Sequence, residues 1–85
     1  PEMTSDDMRV LEKLAALSGE AFEIEFMKEM IRHHASGVAK GKECVKKVYH
    51  DELRSLCHNV VGVQAKEIRV MQRWLCRWYD ICGFK

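Results

Sequence analysis

The chain has 85 residues, 47% of them hydrophobic, and 14 basic against 13 acidic side chains leave a formal charge of +1. That length holds one small domain with a shallow core, a size that leans on a covalent staple, a metal or a partner subunit. Near-neutral, interspersed charge gives no footprint for nucleic acid or an anionic membrane, the apolar content argues against disorder, and no apolar run reaches the length of a membrane span.

No basic stretch followed by an apolar run opens the sequence, and a start at Pro1-Glu2-Met3-Thr4 is expected of a mature or trimmed product. Ser5-Asp6-Asp7 reads as a helix start, a serine cap with two acids in the first turn. Apolar residues then recur at helical spacing through Met8, Leu11, Leu14, Ala15 and Leu17. This short first helix, about 5–17, ends at Ser18-Gly19, where Ser18 can cap the next.

The second helix, about 20–48, contains no proline. Phe22, Phe26, Met30, Gly37, Gly41 and Cys44 follow one stripe and Ile24, Met27, Ile31, His34, Val38 and Val45 another, a width expected of a helix buried against two neighbours. Gly37 and Gly41 each cost about 1 kcal/mol of helix propensity relative to alanine, a cost offset where another backbone comes close. Tyr49-His50-Asp51 is the expected turn, with Asp51 capping a third helix, about 51–79, roughly 42 Å long. Its apolar positions run from Leu53 and Leu56 to Leu75 and Trp78, and Gly83 is the stop signal. No repeat, low-complexity tract or linker divides residues 1–85, which form a single helical domain. The predicted class is all-α: a short N-terminal helix and a long antiparallel hairpin.

The densest chemistry lies in Phe26–His34, which holds Met27, Met30, His33 and His34 with no helix breaker. Residues three, four and seven apart share a helix face, so Met27, Met30 and His34 align and His33 neighbours Met30. Thioether and imidazole together suit copper or silver rather than magnesium or calcium. The plainer reading makes the methionines core residues and the histidines part of a polar face.

Two long helices joined by a short turn run antiparallel, and with the turn near His50 the numbers of facing residues sum to about 101. Cys44 then faces Cys57, and Met30 faces Met71. His33 and His34 fall opposite Ile68 and Glu67, with Gln64 one turn away. Cys44, Cys57, Cys76 and Cys82 contain no Cys-x-x-Cys, so zinc-ribbon and thioredoxin spacings are missing. Their even number favours two disulfides and an oxidising compartment; four buried thiols in a cytosolic protein is the alternative. A Cys44–Cys57 bridge fits the register, and Cys76 and Cys82 would tie the third helix to the tail or link one of them to a second chain. His50, in the turn, and His58 read as solvated or capping residues, and Lys40, Lys42, Lys46 and Lys47 as a solvated face.

Leu17-Ser18-Gly19-x-x-Phe22, Phe26-x-x-x-Met30-Ile31-x-His33-His34 and Gln64-x-x-Glu67-Ile68-x-x-Met71-x-x-Trp74-Leu75 resemble the domain of unknown function 305 family, from about Leu14 to the C-terminus. The ending Trp74-Leu75-Cys76-x-Trp78-Tyr79-x-x-Cys82 looks like a cysteine-containing branch of it. The resemblance implies a ferritin-like helical fold, an exported or periplasmic protein, and copper or silver binding through Met30, His33, His34 and Met71, with Glu67 and Gln64 beside them. Two departures stand out: Lys40 where the family has a further methionine, and Arg32 where it often has proline. One thioether fewer and a nearby cation weaken a soft-metal site.

The leading expectation is therefore a small exported metal-binding protein for copper or silver sequestration or transfer, with Met27 as a further donor and Glu67 orienting a histidine. The alternative is a disulfide-stapled structural or interaction module without a ligand, or a homodimer that completes a four-helix bundle, with Trp74, Trp78, Tyr79 and Phe84 as its contact end. A di-iron carboxylate enzyme needs Glu-x-x-His pairs on facing helices, and Met30 stands three before His33. Ser5, Ser18, Ser36 and Ser55 lack an elbow or base partner, so no catalytic residue is expected.

Overall fold

The computed structural model describes residues 4–85; the Pro1-Glu2-Met3 start lies outside them. Three helices follow in order, α1 (Ser5–Ala15), α2 (Gly19–Lys47) and α3 (Asp51–Tyr79), and no strand occurs among the described residues. The N-cap of α1 is Thr4, not Ser5. Its hydroxyl accepts from the Asp7 N–H at 3.0 Å, and the Asp7 carboxylate accepts from the Thr4 N–H at 3.1 Å. This reciprocal box satisfies two otherwise orphaned donors, and the Thr4 backbone bond, aided by its hydroxyl, holds the Asp7 carboxyl below its ordinary value. α1 stops at Ala15, short of the expected 17, and Leu14 is its buried residue.

The chain reverses through Ser18 in extended backbone and Gly19 at φ +60°, a left-handed conformation that glycine adopts without a Cβ penalty. Ser18 is the N-cap of α2 but makes no side-chain cap hydrogen bond. The hairpin turn is Val48-Tyr49-His50, so His50 rather than Asp51 is the N-cap of α3. Arg54 locks this turn. Its guanidinium donates to the Val45 carbonyl at 3.1 Å and the Val48 carbonyl at 2.7 Å, and pairs with Asp51, answering carbonyls that the end of α2 leaves unpaired. α3 ends because Asp80 turns left-handed at φ 58°, which a short polar side chain tolerates. The stop therefore comes three residues before Gly83.

Met27 and Ile31 of α2 and Met71 and Leu75 of α3 form the buried core, with Ile31 at 1% and Leu75 at 0% exposure. At the turn end, a Cβ on Gly41 would lie 2.6 Å from Val61 Cγ2 and 3.7 Å from the Cys57 carbonyl oxygen. A Cβ on Gly37 would collide with the Gln64 amide. The two glycines thus sit where α3 comes closest, which offsets their propensity cost. Cys44 pairs with Cys57 at a Cα–Cα distance of 6.0 Å and Cys76 with Cys82 at 4.3 Å, and no described cysteine is free.

The Cα extents are 44 × 30 × 15 Å, so the helices form one layer. The C-terminal segment covers one broad side of it. Ile81 and Phe84 pack on the core, Gln72 Nε2 donates to the Phe84 carbonyl at 2.9 Å, and the Phe84 ring lies 5.5 Å from Lys28 Nζ and 5.3 Å from Arg32 Cζ.

The start of α2 is tied to the end of α3 by Tyr79, whose hydroxyl donates to Glu23. That bond, more than desolvation, pushes the phenol up to about 12. The bond needs the neutral phenol, so the folded value lies above the unfolded one near 10. Its contribution is whole below pH about 10 and is lost as pH rises through about 12. Thermal unfolding midpoints of the wild type and Tyr79→Phe are expected to converge across that window. Midpoints that stay parallel through it would refute the assignment.

Candidate metal centre

Successive residues of an α-helix project about 100° apart, so His33 and His34 cannot serve the same neighbour. His34, on the side of α2 that meets α3, lines a groove of about 540 Å³ between the two helices. Phe26 and Met30 of α2 and Val63, Glu67, Met71 and Trp74 of α3 also line it, and Lys66 sits with them. His33 turns to a second groove, of about 580 Å³, between α1 and α2, where its neighbours include Asp6, Asp7, Leu11, Leu14 and Glu29. Met30 borders both grooves.

His34 Nε2 and Glu67 Oε1 lie 2.9 Å apart. With the Nε2–H donating to the carboxylate, the neutral ring carries its lone pair on Nδ1. The Glu67 side chain is 54% exposed, so a charged form of this pair gains little; the bond's effect is to fix the imidazole's tautomer and orientation. Nδ1 is buried and has no partner, and so is Gln64 Oε1, packed over Gly37 one helical turn from His34. With the Nε2–H tautomer both orphans are acceptors. Buried acceptors are ordinarily matched by a donor, a water or an ion, and a neutral imidazole nitrogen with two thioethers nearby is a donor set for a soft cation.

Of the seven expected metal-site residues, the structure brings Met30, His34, Glu67 and Met71 to one groove. Met27, 5% exposed, is inside the core, His33 lines the other groove, and Gln64 lies against Gly37. No three His, Cys, Asp or Glu side chains converge among the described residues. His50 meets Tyr49 edge-on at 5.2 Å and His58 is exposed, both in the turn half of the hairpin. The apolar walls Phe26, Val63, Val70 and Trp74 were not among the expected site residues. For Val63, Val70 and Trp74 the signal was present as steps of seven and four along α3, the spacing of one face.

Along the second and third turns of α2, the Lys13 ammonium of α1 lies 2.9 Å from Glu25 and 3.7 Å from Glu29. The bond to Glu25 raises the lysine from its ordinary value, and the bond to Lys13 lowers the Glu25 carboxyl. These links seat α1 along α2 and so close the His33 side.

The family model described as "Domain of unknown function (DUF305)" matches residues 1–75. Neither the curated proteins nor the solved structures contain a match to the chain.

Proposed function

The chain belongs to the domain of unknown function 305 family, and from that premise and the groove's donor set we propose that it is a small exported metal-binding protein that holds copper, or silver, for sequestration or transfer. The observation that carries this reading is the gathering of Met30, Met71 and His34 on one groove, with His34 held by Glu67 through Nε2 and its Nδ1 unpartnered. Thioethers and imidazole would hold the ion, and Glu67 would set the imidazole from behind, as carboxylates do for metal-bound histidines. The ion would supply the bound cargo and no reaction step. Two disulfides in 85 residues support an oxidising compartment, hence export. The hairpin is half of a ferritin-like four-helix arrangement, which a second copy would complete.

A Cu(I) competition titration on the oxidised protein, with thiols counted in the same sample, tests this. Binding of one ion per chain is expected, with no thiol detected. Met30→Leu/Met71→Leu/His34→Ala should abolish it, and Glu67→Gln should weaken it by about 10- to 100-fold. His33→Ala should leave it unchanged. Wild-type binding no tighter than that of the triple variant sinks the proposal. The ligand-free interaction module would then stand, a reading favoured by the exposure of Leu53, Leu56, Val63 and Trp78.

A further inference from the structure

The broad side opposite the C-terminal segment is apolar well beyond the groove. The segment reaches α2 at Lys28 and Arg32 and α3 at Gln72, whereas the groove uses Phe26, Met30 and Val70. Those positions are two residues away, about 200° around each helix.

On this open side α3 carries Leu53, Leu56, Val60, Val63, Glu67, Val70 and Trp74 at alternating steps of three and four, the heptad spacing of a seam for another helix. It is not the seam that holds α2. That one runs through Cys57, Val61, Gln64, Ile68, Met71 and Leu75, one residue on and so about 100° further round. Leu53, Leu56 and Val63 are 45%, 57% and 48% exposed. Trp78, 51% exposed and stacked on Trp74 at 5.1 Å, extends the line.

We propose that a second copy of this chain occupies this side, its α3 lying antiparallel along the first, so that two single-layer hairpins close into one bundle with both grooves inside. Helical domains bury their apolar stripes between layers, and this chain supplies one layer, 15 Å deep, whose other side the tail already covers.

Charge selects both the occupant and its direction. Glu67 lies within the seam, Lys66, Arg73 and Arg77 flank its C-terminal half, and Glu52 flanks its start. None of Glu52, Lys66, Arg73 or Arg77 is in an ion pair among the described residues. A parallel pairing would set Glu67 against its own copy and gather four arginines at one end. An antiparallel pairing about an axis near Ala65 and Lys66 sets Trp74 against the partner's Leu56, Trp78 against the partner's Leu53, and Val70 against the partner's Val60. In the same register Glu67 lies beside the partner's Lys66, and Arg77 beside the partner's Glu52. Leu53, Leu56 and Val60 thus meet the partner's Trp78, Trp74 and Val70, while Glu67 stands opposite the partner's Val63 with the partner's Lys66 about one turn away, and Arg77 meets the partner's Glu52, the complementarity that fixes register and direction in helix pairing. The inference rests on the bundle reading only in calling for a second copy, and needs no metal.

Sedimentation equilibrium on the full oxidised chain tests it. The wild type is expected to be a dimer. Leu56→Glu/Val63→Glu, at exposed positions, should keep its helical circular dichroism and sediment as a monomer. Glu52→Arg and Arg77→Glu should each weaken the dimer about threefold to tenfold, since each contact occurs twice, and the two changes combined should restore it. A monomer at every concentration overturns the second copy and the bundle reading together. A dimer indifferent to Leu56→Glu/Val63→Glu overturns this face and leaves the bundle reading standing. A dimer that needs the seam but shows no rescue by the combined charge change overturns the antiparallel pairing.

Discussion

Leu75→Ala is expected to cost about 2–5 kcal/mol. Leu75 is wholly buried and shares the core with Ile31, Met27 and Met71, while Tyr79, Ile81 and Phe84 pack around that cluster. Truncation would remove apolar contact from two helices and the tail at once, in a layer too thin to collapse onto the void. Small domains hold only about 5–15 kcal/mol in total, and for a chain of this size each kcal/mol moves the midpoint by about 4–8 °C. A fall of roughly 8–40 °C in Tm is therefore expected. Leu56→Ala, at a residue 57% exposed, should change the monomer's stability by less than about 0.5 kcal/mol. Urea unfolding of both variants, at a protein concentration low enough to hold the monomer, decides the matter. A Leu75→Ala cost under about 1 kcal/mol would mean that the core is not centred where its burial places it.

The hairpin and its register were legible in the sequence because two stiff helices joined by a three-residue turn have little freedom left. Once the turn is placed near His50, Cys44 meets Cys57 and His34 meets Glu67, and the structure shows both contacts. What the sequence left unresolved lies at scales finer than a helix face. Thr4 and Ser5 are adjacent and both able to cap; the hydroxyl that reaches the Asp7 N–H, Thr4's, decides between them. Gly83 looked like the stop, yet the Cys76–Cys82 bridge turns the chain within six residues and the reversal falls at Asp80. His33 and His34 read as one motif, but neighbours on a helix diverge by about 100°, and α1 takes one while α3 takes the other. Met27 and Met30 stand three residues apart and read as aligned donors, yet only Met30 reaches a groove. The two seams of α3 interleave at steps of three and four, so a single apolar tally merged the inner seam with the outer one.

Removal of the disulfides is the second large effect. Cys44–Cys57 closes a loop with a sequence separation of 13, for which chain entropy gives about 3 kcal/mol. Cys76–Cys82, with a separation of 6, gives about 2 kcal/mol on the same scale. Cys44→Ala/Cys57→Ala should thus lower global stability more than Cys76→Ala/Cys82→Ala, whose main consequence is to release Ile81 and Phe84 from the core. The register does not depend on the first bridge alone. Gly41 against Val61 and Gly37 against Gln64 still seat α2 on α3, so the Cys44→Ala/Cys57→Ala variant, kept below its unfolding temperature, should retain His34 beside Glu67 and its Cu(I) affinity. Full reduction should remove about 5 kcal/mol if the two effects add, close to all the stability of so small a core. Circular dichroism with and without a dithiol reductant, at one fixed protein concentration because dimerisation would add its own stabilisation, measures this directly. Loss of helix on reduction fits a protein built for an oxidising compartment. Unchanged helix and midpoint would show that packing alone holds the hairpin, and the argument from its cysteines to export would fall.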